Sequence, residues 1–282
     1  MATHWRGCAK YLWPSMASAK DIHVAPISPQ AAADLVKRLH YSGKAVRNSQ
    51  LHLGVYIDGR INGVMQFGPS LDKRNLIGLV RDTGWNGFIE LNRMAFGPLL
   101  PRNSESRALG VAMRLIRKEY PQIEWVVSFA DGCQCGDGTI YRASGFVLTA
   151  IRKNSSIWQA PSGEIFTDIG LRTGSVQRGK ALALVAKAAE KLGQRAQFDG
   201  GSSMKRYRDA GFKPLIGYQL RYLFFINPAA RERLTVPILP FSRIAELGAG
   251  MYCGEKVQRT KEQAAEFPSA LGGAIPTRAL QT

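Results

Sequence analysis

Apolar residues recur along the first half of the chain with a spacing that switches between two and about four, and the switches mark out strands and helices. DIHVAPIS (21–28) reads as a short strand. SPQAAADLVKRLHYS (28–42) opens with Ser28 at the cap and Pro29 at the first helical position. Its Ala33, Val36, Leu39 and His40 fall near one face, which predicts a helix. LHLGVYIDGRINGVMQFG (51–68) is two β-rich runs around Asp58-Gly59, a pair that tolerates positive φ at both turn positions, and so predicts a hairpin. Residues 69–87, rich in Gly, Asn and charge, read as a loop, and FIELNRMAF (88–96) as a strand. After a loop over 97–107, ALGVAMRLIRKEYP (108–121) has helical spacing up to Pro121. IEWVVSFAD (123–131) is apolar nearly throughout, as a buried strand is. TIYRASGF (139–146) gives a turn or two of helix stopped by Gly145, and VLTAIRKN (147–154) another strand.

The pattern then changes. Residues 155–179 set polar and Gly residues around Trp158, Phe166 and Leu171. RGKALALVAKAAEKLG (178–193) is an Ala-rich basic helix, and SSMKRYRDAGF (202–212) repeats the Tyr-Arg-x-x-Gly-Phe of 141–146 as Tyr207 to Phe212. YQLRYLFFIN (218–227) is a strand, and from about 245 the chain loses periodicity. The order β–α–β–β–β–α–β–α–β, an insertion, then β predicts an α/β (α+β) fold with a mixed central sheet. The expected organisation is an N-terminal extension over 1–20 (Met16 offers a second start), a core over 21–154, a basic insertion over 155–217, the last core strand with a following segment over 218–244, and a mobile tail over 245–282.

Charge narrows the choice of partner. The 282 residues carry 38 Lys and Arg against 21 Asp and Glu, a net +17, which suits a polyanion, DNA or RNA. Residues 152–221 alone hold 13 basic and 5 acidic side chains, so the insertion is the first choice for the nucleic-acid face, through Arg178, Lys180, Lys205, Arg206 and Arg208. A solvated basic face is the alternative. No apolar run reaches the length of a membrane span, and neither a signal peptide nor a basic membrane anchor stands out. Four cysteines are too few for a disulfide framework in a chain this long, which fits a reducing cytoplasm. Cys133 and Cys135 lack the spacing of a zinc ribbon and read as free thiols in a loop.

Several polar residues stand where strands and helices end. Asp131 closes an apolar strand before Gly132, a position that suits a general base, or a turn cap. Ser128 lies three residues earlier, on the opposite face of a regular strand. Glu90 and Arg93 are also three apart, so they face opposite sides unless a bulge intervenes, and Glu90 is the better base. His40 and Tyr41 end the first helix, where a histidine is also favourable for the helix dipole alone.

The strand order resembles the GNAT acyltransferase fold. In that fold a helix start after the fourth strand faces the cofactor pyrophosphate, and the fifth strand splays from the fourth. Arg102-Asn103-Ser104-Glu105-Ser106-Arg107 occupies the pyrophosphate loop without its usual glycines, which leaves Arg102, Asn103, Ser104, Ser106 and Arg107 as anion binders. Tyr141-Arg142-Ala143-Ser144-Gly145-Phe146 matches the Tyr-x-x-x-Gly-Phe that follows the fifth strand. Together with His40-Tyr41-Ser42-Gly43, Glu90-Leu91-Asn92-Arg93, Pro101-Arg102-Asn103-Ser104 and Ser128-Phe129-Ala130-Asp131, the chain resembles the Mom family of bacteriophage DNA-modification proteins over about residues 22–154, and more weakly over 218–227.

That resemblance implies addition of a carbamoylmethyl group to N6 of adenine in double-stranded DNA, in the host cytoplasm, shielding it from restriction. Asp131, Tyr141, His40, Tyr41 and Glu90 are then the catalytic candidates, with Tyr41 stacking on or bonding the base. Arg93, Ser128 and the anion loop hold the donor, for which the fold suggests acetyl-CoA or another acyl- or glycyl-type group. The family also brings in iron, with His40 and Asp131 as ligand candidates. Two other readings stay open: a conventional GNAT N-acetyltransferase acting on a protein or small amine, and a non-catalytic DNA-binding protein on the same scaffold.

Overall fold

A computed structural model describes residues 18–40, 42–132, 136–154, 156–173, 176–191, 204–215, 217–252 and 255–256. Tyr41, Cys8, Cys133, Cys135 and Cys253, and nearly all of the expected N-terminal extension and tail, lie outside them. The chain divides into two units. The first comprises residues 1–130, 138–150 and 220–239, and the second residues 131–137, 151–219 and 240–282.

The elements of the first unit follow the periodicity closely. β1 is His23–Pro26 and α1 is Pro29–Leu39, whose first turn is capped by Ser28 Oγ accepting from Ala31 N–H. β2 (Leu51–Ile57) and β3 (Arg60–Gly68) form the predicted hairpin, with Asp58 and Gly59 both at positive φ, 48° and 71°. The expected loop over 69–87 proves partly helical. Its α2 (Lys73–Leu76) and the 3-10 turn Ile77–Leu79 are too short to show a period, and they form because Leu76 and Leu79 anchor them in the core. β4 is Phe88–Phe96. α3 runs over Ser104–Glu119, starting four residues before the first apolar repeat, after Asn103 takes a left-handed φ of 70°. β5 (Trp125–Asp131), α4 (Thr139–Ala143) and β6 (Val147–Asn154) complete the series, joined late in the chain by β10 (Gly217–Phe225).

These strands make a seven-stranded mixed sheet in the order β1-β2-β3-β4-β5-β10-β6. β1 to β4 pair antiparallel, while β4 and β5 pair parallel across α3. Helices cover both faces. On one, Ala32, Leu35 and Val36 of α1 pack on Val64 and Ala95, and Leu76 and Leu79 pack with Phe88, Trp125, Val127 and Leu223. Tyr222 alternates with Leu223 and so points to the other face, where Tyr141 of α4 meets it at 5.2 Å between rings. α3 touches α4 on that side.

Two irregularities matter for chemistry. Gln66 pairs with Arg93 but the next residue, Phe67, pairs with Leu91, so Asn92 is an extra residue that bulges β4. Parallel pairing of β4 with β5 covers only Phe88, Ile89 and Glu90 against Trp125, Val126 and Val127. Beyond Glu90 and Val127 the two strands part.

The second unit has its own core. β7 (Ile157–Gln159), β8 (Ile165–Thr167) and β9 (Lys213–Pro214) form a small antiparallel sheet in the order β8-β7-β9. α5 (Asp168–Arg172), α6 (Val176–Lys191) and α7 (Lys205–Asp209) accompany it. Trp158, Phe166, Leu171, Ala181, Tyr207 and Phe212 are among the side chains buried together there. α8 (Ser242–Glu246) and the pair β11 (Met251–Tyr252) and β12 (Glu255–Lys256) end the described chain.

Candidate active site

The bulge at Asn92 changes the parity of β4. A regular strand would turn Glu90 and Arg93 to opposite faces, but one extra residue between them returns Arg93 to the face of Glu90. The expectation that the two residues are separated is corrected on this ground. Their charges interact, and Arg93 also acts on His40, so all three groups gather on the face covered by α1.

Each is fixed by local structure. His40 caps the end of α1, donating its backbone N–H to Val36 O. Its Nδ1 accepts the backbone N–H of Ser42 at 3.1 Å and lies 2.8 Å from Ser42 Oγ. A ring nitrogen that accepts an amide N–H carries no proton, so the neutral imidazole is the Nε2–H tautomer. Burial, with a smaller contribution from the Arg93 charge, depresses the His40 pKa to about 4, and the ring is neutral at pH 7. Burial acts in the opposite direction on Glu90 and raises its pKa. Hydrogen bonds from Ser70 and Asn92 and the Arg93 charge pull it partly back, while Asp72 adds to the rise. Arg93 donates through Nε to Lys44 O and through Nη1 to Asn92 O. Asn92 Oδ1 accepts from Ser49 Oγ at 2.9 Å, which pins the bulge. Next to it, buried Gln66 holds His52 through Nε2, and its Oε1 has no partner among the described residues.

The opposite side of the parting is different. Ser128 follows Val127, the partner of Glu90, and therefore points to the face of α3 and α4. It is 0% exposed and its Oγ has no hydrogen-bond partner among the described residues. A buried hydroxyl left in this state costs about 1–3 kcal/mol, a cost that a bound group could remove. At the start of α3 the side chains serve the loop itself: Ser104 Oγ donates to Pro101 O, Ser106 Oγ to Asn103 O, and Arg107 Nη2 to Lys20 O. Arg102 and Asn103 are exposed, and Ser104 is fully buried. Arg107 N–H makes the first helical bond, to Asn103 O, so the amides of Glu105 and Ser106 precede it and face the helix start, an arrangement that suits an anion.

Tyr141 stands in α4, its ring 5.4 Å from that of Phe146 and 5.2 Å from that of Tyr222. The echo of its motif is a real structural repeat. In both copies the glycine has a φ of 83° and the Phe N–H bonds back to the Tyr carbonyl, Phe146 to Tyr141 and Phe212 to Tyr207. Tyr-x-x-x-Gly-Phe is thus a helix-stop device in this chain. Tyr207 spends its hydroxyl on Leu171 O inside the core of the second unit.

Asp131 belongs to the second unit, where its Oδ1 accepts from Asn154 Nδ2 at 3.2 Å. Among the basic residues expected at DNA, Lys180, Lys205 and Arg208 are exposed and Arg178 and Arg206 half-buried. Lys205 pairs with Asp209 at 2.7 Å and Arg208 lies over the Trp158 ring at 5.6 Å. Tyr41 lies outside the described residues. Among those described, no group of three or more His, Cys, Asp or Glu side chains could hold a metal, so the expected iron finds no ligand set there. Nor is any helix among them long and apolar enough to cross a membrane. Ser70, Ser49 and Asn92, which hold Glu90 and the bulge, carry no sequence signal of their own; their role depends on the extra residue in β4.

A parted pair of parallel strands, a half-buried carboxylate and neutral imidazole on one face, and a helix start after β4 that suits an anion fit a transferase-type enzyme. The chain belongs to the Mom protein family, whose model matches residues 21–243. It is 34% identical over 221 residues to the methylcarbamoylase mom of Escherichia phage Mu, covering 78% of this chain and 82% of that one. Solved structures of similar outline include the ribosomal-protein-S18-alanine N-acetyltransferase of Escherichia coli, with 10% identity, a TM-score of 0.37, and 73% of this chain and 94% of that one covered. An N-acetyltransferase from Staphylococcus aureus overlaps with 7% identity, a TM-score of 0.39 and coverage of 73% and 98%. At these scores the overlap adds nothing to the fold derived above.

Proposed function

We propose that this chain is a phage DNA-modification enzyme that adds a carbamoylmethyl group to N6 of adenine in double-stranded DNA and so protects it from host restriction. The relation to the phage Mu methylcarbamoylase supports the group transferred, and the net charge of +17 supports a nucleic-acid substrate. The observation that carries the reading is the parting beyond Glu90 and Val127, with Glu90 on one face and Ser128 on the other. Forming an N–C bond at a tetrahedral carbon requires the amine and the leaving group on opposite sides of that carbon. A gap in a sheet with unlike chemistry on its two faces meets that requirement.

The roles follow from the groups. N6 of adenine is a poor nucleophile because its lone pair is delocalised into the ring, so it needs a base as its bond to carbon forms. Glu90, made more basic by burial, takes the proton that N6 loses. Neutral His40 offers its Nε2–H as a donor, and its occupied Nδ1 removes it as the base. The Arg93 charge favours the ionised form of Glu90, against the effect of burial. On the other face the Ser128 hydroxyl and the amides that open α3, with Arg102, would hold an acyl- or glycyl-type donor; for carbamoylmethyl transfer its methylene carbon must carry the leaving group that departs as the N6–C bond forms, whereas acetyl-CoA carries its leaving thiolate on the acyl carbon and would give acetylation. Asp131 and Tyr141 remain proposed participants, and the basic surface of the second unit a proposed DNA contact.

Nucleoside mass spectrometry on plasmid DNA from cells making the protein tests the reading. The expected result is a deoxyadenosine heavier by one carbamoylmethyl group, on the order of 10²-fold scarcer when Glu90→Gln replaces the wild type. An acetylated base would point to the conventional acetyltransferase instead, and unmodified deoxyadenosine alone would overturn the proposal.

A further inference from the structure

Ser70 touches the Glu90 carboxyl, and the next residue along the chain is Leu71, 93% exposed and the most exposed large hydrophobic side chain described. Its backbone is held firmly on both sides. Asn48 Nδ2 donates to Pro69 O at 2.8 Å, and Ser70, itself 7% exposed, accepts the Asp72 N–H on its hydroxyl. Asp72 is tied in turn to Asn75 through both backbone and side chain, and Leu76 and Leu79 anchor α2 and the 3-10 turn after it in the core. A rigid turn therefore displays one bare leucine, a residue's length from the proposed base. Of the two cations that follow Asp72, Arg74 is exposed, whereas Lys73 donates to Asn86 Oδ1 at 3.3 Å and lies over the Trp85 ring at 4.7 Å.

The fold makes no use of this leucine, whereas the chemistry of the site would. N6 of adenine is engaged in base pairing inside the duplex, so an enzyme acting on it must take the base out of the stack. The stack left behind is an apolar slot one base thick, bordered by phosphates. Proteins that distort DNA fill such slots with an apolar side chain. We infer, building on the DNA reading above, that Leu71 enters the base stack of duplex DNA as the target adenine swings toward Glu90, with Arg74 on a flanking phosphate. Leu71 is a positioning residue that substitutes for the departed base, and takes no part in bond formation.

Permanganate oxidises thymines that have lost their partners, so it reports extrusion of adenine with no donor present. Purified full-length protein saturating plasmid DNA should make a subset of thymines reactive. Leu71→Ala should bind the plasmid with affinity within about twofold of wild type yet lower that reactivity about tenfold, while Leu71→Met retains it. A thermal melt of each variant guards against misfolding, which an exposed position does not invite. Wild-type protein that leaves every thymine unreactive, or Leu71→Ala that matches wild type, would overturn the inference. Plasmid from cells making wild type separates the two readings. Modified adenine there with equal yield from Leu71→Ala removes the wedge and keeps the function, and no modified adenine removes the function while the permanganate result still stands or falls alone.

Discussion

At the scale of single residues, burial sets two titrations in opposite directions within one cluster. The folded pKa of Glu90 is raised above its unfolded value of about 4.3. The native state then holds this proton more tightly than the unfolded chain, so stability falls as pH rises through the interval between the two values. Glu90→Gln removes that loss. Its denaturant midpoint should gain on wild type at pH 8 relative to pH 4, while modification falls on the order of 10²-fold, as expected for a lost general base. His40 has the opposite sign. Its folded pKa, about 4, lies below the unfolded value of 6.5, so stability is fully present above pH 6.5 and is lost as pH falls toward 4. The size is on the order of 2–3 kcal/mol, less for whatever part of the ring meets solvent. Midpoints of wild type and His40→Gln measured at pH 7 and pH 4.5 should show the shallower acid loss in the variant.

At the scale of elements, the decisive feature is one inserted residue. Asn92 bulges β4, and without it Arg93 would face away from Glu90. Deleting Asn92 should restore a regular register at the cost of the hydrogen bond to Ser49, and modification should disappear even if circular dichroism keeps the sheet signal. Substituting Asn92→Ala keeps the bulge and loses the side-chain bonds to Ser49 and Glu90, each worth about 1 kcal/mol, and should leave measurable modification. Much of this level was legible in advance. Apolar patterning found every strand of the main sheet, β5 by a continuous apolar run, and Asp58-Gly59 specified its turn through positive φ. The α2 segment was not legible, because four residues cannot display a helical period and Leu76 and Leu79 are held by distant partners. The echo of Tyr-Arg-x-x-Gly-Phe was visible, but its meaning as a repeated helix stop needed the two glycines seen at one and the same φ.

For the whole molecule, charge is the property that survives any detail of geometry. Binding to duplex DNA should weaken linearly with the logarithm of salt concentration, by a slope of about 0.9 for each phosphate contacted. Lys180→Gln should lower that slope by about one if Lys180 meets phosphate, whereas Lys205→Gln should change it less, since Asp209 already matches its charge. A titration between low and moderate salt checks both. Composition, periodicity and turn chemistry, all local or additive, determined by themselves the order of strands and helices, the basic character, and the identities of His40 as a polar residue at a helix end and of Glu90 and Ser128 as polar residues on strands. Which of them meet was decided only by the tertiary structure. A single bulge reverses the facing of a strand, two strands stop pairing after Glu90, and burial shifts Glu90 and His40 in opposite directions; each depends on neighbours remote in the chain, which no local pattern records.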